Sequence, residues 1–169
     1  MKMSDLKKVA VGGTFDELHR GHRVLLTKAF EAGDQVIIGL CTDDFVKKLV
    51  KPHATATYNE RLRELKRFLF DLGVSKRAEI IPLSEPYGPS STDSTIDGLV
   101  VSKETETTAN KINEQRVKSG LAKLKILTVN MVPSDNCRPI STTRIRRGEM
   151  DREGRLLNPT EYRVNSKEE

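Results

Sequence analysis

Apolar residues in this chain come in short runs separated by charged stretches, and the runs differ in period. "KKVAVGG", ending at Gly13, reads as a short buried strand that runs into a turn, and "QVIIGLC", Gln35 to Cys41, as a continuous apolar run of the kind a parallel sheet buries on both faces. Between them, "HRVLLTKAFEAG" predicts a helix with Val24, Leu25, Ala29 and Phe30 inward and Gly33 as its stop. In "YNERLRELKRFLFDLG" the residues Leu62, Leu65, Leu69 and Leu72 recur at helical spacing opposite a charged face, and this is the clearest helix in the chain. "AEIIPL", "GLVVS" and "LKILTVNMV" predict three further strands. A polar helix from about Glu104 to Lys118 separates the last two, and a final helix starts near Ser141.

Strands alternating with helices predict an α/β fold, a five-stranded parallel sheet with right-handed crossovers. The 169 residues suit one domain reaching to about residue 150. From Asp151 the polar tail "DREGRLLNPTEYRVNSKEE" is expected to be partly ordered at best. A formal charge of +5 and a pI near 9.2 favour anionic partners: nucleotides, phosphorylated metabolites or nucleic acid. Aromatics are only 5%, with no Trp, so stacking platforms for single strands are scarce and nucleic acid is the weaker expectation. No stretch approaches the ~20 apolar residues of a membrane helix and the N-terminus lacks a signal-peptide core, so a soluble cytoplasmic protein is expected. Cys41 and Cys137 have neither disulfide-framework nor zinc spacing. The oligomeric state stays open, with a monomer favoured.

"VGGTFDELHRGH", Val11 to His22, carries the first chemistry. In an open parallel sheet, ligands bind beyond the carboxyl ends of the strands, and the loop after strand one is a favoured place. Gly12 and Gly13 let the backbone come close to a phosphate there, and the helix start behind them offers unpaired N–H groups. His19 and His22, two of the three histidines, lie three apart, which puts both rings on one helix face. Two imidazoles beside backbone donors suit a developing phosphoryl charge better than a metal, because the nearby cysteines and carboxylates lack ligand spacing. One histidine at a helix start is more often a cap, but two behind a glycine turn shift that balance towards chemistry.

"GGTFDELHRGH" resembles the signature of the cytidylyltransferase-like nucleotidyltransferase superfamily. The resemblance implies a Rossmann-like domain over residues 1–150 and transfer of a nucleotidyl group from a nucleoside triphosphate. It also implies that His19 and His22 contact the triphosphate and stabilise the transition state, and that the backbone at Thr14 and Phe15 approaches the reacting phosphate.

"RPISTTRIRRGEM" combines an N-cap at Ser141, two hydroxyl residues in the first turn, and Arg144, Arg146 and Arg147 behind them, a pattern able to hold a polyphosphate. It is similar to the superfamily's second element, which implies that Ser141, Thr142, Thr143 and Arg146 hold the β and γ phosphates. Similar loops after strand two use a lysine to bridge donor and acceptor phosphates. Here Lys51 is the first choice for that catalytic and substrate-binding role, and Lys48 the second.

The loop "EPYGP", followed by "LVVSKET" and "KINEQRVKSG", resembles the phosphopantetheine adenylyltransferases of archaea and the corresponding domain of eukaryotic coenzyme A synthase. That resemblance implies transfer of AMP from ATP, carried with Mg²⁺, to 4′-phosphopantetheine, giving dephospho-coenzyme A and pyrophosphate. It sets Val101, Ser102 and Glu104 beside the nucleotide and Thr14 beside the acceptor. FMN adenylyltransferase and glycerol-phosphate cytidylyltransferase share the first two motifs and remain alternatives. A basic protein that binds nucleic acid through "RIRRGEMDREGR" is the alternative from another class.

Overall fold

β1 (Leu6–Gly13) alternates its side chains between the two faces of one sheet, and both faces are covered. Val9 and Val11 pack on one side, where they join Val36, Ile38 and Leu40 of β2 (Gly33–Cys41), Leu26 and Phe30 of α1 (Arg20–Ala32), and Leu65 and Leu69 of α3 (Tyr58–Asp71). Ala10 and Ile37 point the other way. They meet Leu99 and Val101 of β4 (Gly98–Ser102) and Ala109 and Ile112 of α4 (Glu106–Lys118). The computed structural model describes residues 5–49 and 54–157. With β3 (Ala78–Leu83) and β5 (Lys125–Val129) the sheet has the order β3-β2-β1-β4-β5, all pairs parallel. The predicted α/β fold with a five-stranded parallel sheet is therefore the one observed. The strand order reverses between β1 and β4, the position where such sheets open a crevice at their carboxyl ends.

Several local expectations are corrected. Val24 is 38% exposed and Leu26 takes the inward place, because the buried face of α1 runs through Leu26, Ala29 and Phe30. Leu72 is 39% exposed, since α3 ends at Asp71 and Gly73, at φ +77, turns the chain away. A short helix, α2 (Asp43–Lys48), capped by Thr42, forms where only a loop was read. The polar helix starts at Glu106 after a 3-10 turn at Lys103–Thr105, and β5 stops at Val129. The final helix, α5 (Thr142–Arg146), is a little over one turn long. Of the stretch from Asp151 on, residues 151–157 are hydrogen-bonded to the rest of the chain and residues 158–169 lie outside the described residues.

Candidate active site

The helix that follows β1 begins with a cap made of two histidines. His19 is the N-cap: its Nδ1 accepts the N–H of His22 at 3.4 Å, while Nδ1 of His22 accepts the N–H of His19 at 3.3 Å. This is a capping box with imidazoles in place of a hydroxyl and a carboxylate. With both Nδ1 atoms accepting, each ring is left with Nε2 as its N–H donor. The rings stack with centroids 3.6 Å apart, and the edge of Phe15 meets His22. Gly21 makes the stack possible, because a Cβ there would stand 2.8 Å from the His19 ring. Burial pushes the pKa of His19 from 6.5 down to about 4, helped by the charges of Arg23 and Arg152, so the ring is neutral at pH 7.

The turn between β1 and α1 departs from the glycine expectation. Gly12 and Gly13 belong to the strand, and the left-handed positions are held by Phe15 (φ 50) and Glu17 (φ 57). Non-glycine residues at such angles cost roughly 1–2 kcal/mol each. Buried partners hold the turn in place. Phe15 is in the core, and Asp16, only 1% exposed, takes Arg146 in a bidentate pair at 2.8 and 2.9 Å. Asp16 also accepts the N–H of Ala56, and its carbonyl accepts the Thr142 hydroxyl at 3.0 Å. Arg146 lies 3.3 Å from Glu17 as well. The bond to Asp16 raises the pKa of Arg146 further and keeps it charged.

These contacts bring the two sequence motifs to one cavity of about 640 Å³. Gly12, Gly13, Thr14, Phe15, His19 and His22 line it from β1 and α1, and Ser141, Thr142 and Thr143 from the start of α5. Ser141 caps that helix by accepting the Arg144 N–H at 3.2 Å. Val101, Ser102 and Glu104 line it from the end of β4, and Pro86 and Tyr87 from the "EPYGP" loop. Arg146 is not among the lining residues; its guanidinium sits behind the turn on Asp16 and Glu17. Lys48 is exposed at the end of α2, whose Phe45 reaches the cavity while Lys48 does not line it. Lys51 and His53 lie outside the described residues.

Two buried arginines that support the cavity escaped the sequence reading. Arg61, 1% exposed, donates to the carbonyls of Thr14, Cys41 and Ala56 at 2.8–2.9 Å and to Asp43 at 3.0 Å. It ties the β1 turn, the end of β2 and the start of α3 together. Arg116 donates from α4 to the carbonyls of Ser90, Asp93 and Ala122 and so holds the loop after β3. Both had a signal: Arg61 precedes Leu65 and Leu69 at four-residue spacing, and Arg116 continues Ala109 and Ile112, so each is an arginine on an apolar stripe. Asp16 stood inside the quoted motif without a role.

Residues 10–148 match the family described as cytidylyltransferase-like. The chain belongs to the cytidylyltransferase-like family. The chain is similar to the phosphopantetheine adenylyltransferase of Methanopyrus kandleri, 45% identical over 153 residues that cover 88% of this chain and 94% of the relative. The phosphopantetheine adenylyltransferase of Methanothermobacter thermautotrophicus is 42% identical over 149 residues, 88% of each chain. Among solved structures, a protein of unknown function from Archaeoglobus fulgidus superposes with a TM-score of 0.65 at 32% identity, covering 72% of this chain and 88% of that one.

Proposed function

We propose that this chain is an adenylyltransferase that moves AMP from ATP to 4′-phosphopantetheine, yielding dephospho-coenzyme A and pyrophosphate. The observation that carries the reading is the convergence of the histidine-capped start of α1, the Ser141–Thr143 turn and the "EPYGP" loop on one cavity, in a chain 45% identical to a relative of that name. The acceptor's 4′-phosphate oxygen attacks the α-phosphorus of ATP, the bond from the α-phosphorus to the bridging oxygen breaks, and pyrophosphate leaves with the electron pair. A phosphate monoester is already a competent nucleophile, so the protein's task is in-line positioning and charge stabilisation.

In this reading His22 and His19 donate from Nε2 to the triphosphate, His22 to the oxygens of the transferred phosphate, where charge grows in the transition state. His19, kept neutral by its burial, donates without proton exchange. The backbone of Gly12 to Phe15 approaches the reacting phosphate, and Ser141, Thr142 and Thr143 take the β and γ phosphates, with Arg146 behind them. Val101, Ser102 and Glu104 lie by the nucleoside, and Lys48 or Lys51 meets the acceptor phosphate. Mg²⁺ arrives as part of the substrate, held by phosphate oxygens and water. Among the described residues no group of three or more His, Cys, Asp or Glu could hold a metal ion.

The nucleic-acid alternative loses support from the ion pairs. In "RIRRGEMDREGR", Arg144 pairs with Glu149, Arg146 with Asp16, Arg152 with Glu17 and Glu64, and Arg155 with Asp151, so much of that positive charge is already matched. The test is pyrophosphate and dephospho-coenzyme A formation by the full chain with ATP and 4′-phosphopantetheine. Unphosphorylated pantetheine, which lacks the attacking oxygen, is expected to give almost no turnover. Turnover of FMN, or of CTP with glycerol phosphate, and silence with phosphopantetheine would replace the acceptor.

A further inference from the structure

The family match ends at residue 148, yet residues 150–157 stay packed against the segments that form the site. Met150 is buried and bridges to Leu156. Between them the chain closes a turn, in which Asp151 exchanges backbone bonds with Gly154 and Arg155 while its carboxylate accepts the N–H groups of Glu153 and Arg155, each at 2.9 Å. Gly154 has φ +83 and lies where a Cβ would stand 2.7 Å from Ile140 and 3.1 Å from Ser134, so only glycine fits that seat. Its carbonyl accepts the N–H of Asp135, whose side chain accepts that of Leu156. The turn is thus docked on the segment that leads into Ser141.

From this seat the segment reaches back to the histidine cap. The N–H of Arg20, the first residue of α1 after His19, donates to the carbonyl of Arg152 at 2.8 Å. The Arg152 side chain places Nε and Nη2 at 3.0 Å from Glu17 and Nη1 on Glu64 of α3. Glu153 pairs with Arg23 of α1. Glu17 is the left-handed residue two positions before His19, so Arg152 grips the strained turn by its side chain and the helix start by its backbone.

We infer that Asp151–Leu157 is a strap that sets the His19–His22 pair in register with the Ser141–Thr143 turn, and that Arg152 is a positioning residue of the reaction. The inference rests on the reaction proposed above. Arg152 does not line the cavity; it acts through Glu17 and the helix start at His19. A displacement of about 1 Å in such a group is enough to cost up to ~10²-fold in rate. The charged groups around His19 are Arg23 on its own helix and Arg152 on the strap, countered by Glu153 and Glu17, with His22 stacked on the ring. Loss of the Arg152 charge therefore moves the titration of His19 to higher pH.

The experiment uses the full chain as wild type, Arg152→Ala, Arg152→Lys and Gly154→Val, with kcat and KM for both substrates, thermal melting, and the His19 imidazole titration followed by NMR without substrate. In folded Arg152→Ala, kcat is expected to fall roughly tenfold while KM for ATP changes less than about threefold. The His19 midpoint is expected to rise, and Arg152→Lys to recover part of both, since an ammonium can replace the charge but not the fork that spans Glu17 and Glu64. Gly154→Val, which unseats the turn, is expected to lower kcat in the same direction. An unchanged kcat in folded Arg152→Ala overturns the positioning role, whether or not the His19 titration or the melting temperature moves. A wild-type protein that is silent with ATP and phosphopantetheine would sink the reaction, and with it the role of Arg152 in that reaction, a result distinct from an active wild type whose kcat Arg152→Ala leaves unchanged.

Discussion

The β1–α5 side of the cavity and its β2–β3 side are built by different physics. On the first, Asp16, Glu17, Arg146, Arg152 and the histidine pair form a dense polar network around a strained turn, with nearly every charge matched. On the second, Phe45, Leu49, Leu83, Pro86 and Tyr87 present an apolar wall. Donors held in place by a network stabilise charge that appears only in the transition state, whereas an apolar wall binds ground state and transition state alike. If the reaction proposed above holds, rate is expected to belong to one side and acceptor affinity to the other, so that substitutions pull the two apart.

The largest effect is expected at the clamp beneath the polar side. Arg61→Ala leaves three carbonyls and Asp43 without their buried partner and should cost about 3–5 kcal/mol of stability, read by denaturant unfolding. A loss below about 1 kcal/mol would mean that the turn does not depend on this arginine.

Next comes His22→Ala. With one donor gone from the polar side, kcat should drop by roughly 10²–10³ with KM for ATP nearly unchanged, in a variant that circular dichroism shows to be folded. An equal loss in KM alone would move His22 to the binding side of the comparison.

The histidine cap also predicts a pH dependence of stability. The folded pKa of His19 is about 4 against 6.5 unfolded, so below pH 6.5 the unfolded chain binds the proton that the native state refuses. This contribution is complete above pH 6.5 and is lost as pH falls towards 4, by about 3 kcal/mol in all. Unfolding free energies at pH 7 and pH 4 check it, with His19→Gln as the variant in which that share of the slope should vanish.

The smallest effect is expected on the apolar wall. Phe45→Ala should raise KM for phosphopantetheine by about tenfold, the equivalent of ~1.4 kcal/mol of lost contact, with kcat within about twofold. A fall in kcat larger than the rise in KM would erase the division of labour between the two sides.

How much of this was legible depends on the range of the interaction. Short apolar runs placed the five strands, most clearly β2, whose run is apolar because both its faces are buried; helical spacing placed α1 and α3, and a polar stretch between two strands placed α4, to within a few residues. The ends went astray where single residues decided them, as at Leu72, exposed once Gly73 turns the chain, and at Val24, which a one-residue change of phase puts outside. The "GGTFDELHRGH" and "RPISTTRIRRGEM" stretches announced candidate chemistry because their pattern is local: a cap, a turn and a helix start depend on residues within three or four positions.

What the sequence determined by itself was therefore the α/β class, the parallel sheet, and the two motifs that line the cavity. Tertiary structure alone decided that Arg146 rests on Asp16, 130 positions away, that Arg61 and Arg116 turn inward to collect carbonyls, and that Arg152 closes on Glu17 and Glu64. An arginine reads as surface charge in a sequence, since its partners are backbone carbonyls and carboxylates that no local pattern names. Only when the fold has buried those acceptors does leaving them unpaired become costly, and that cost is what draws the guanidinium in.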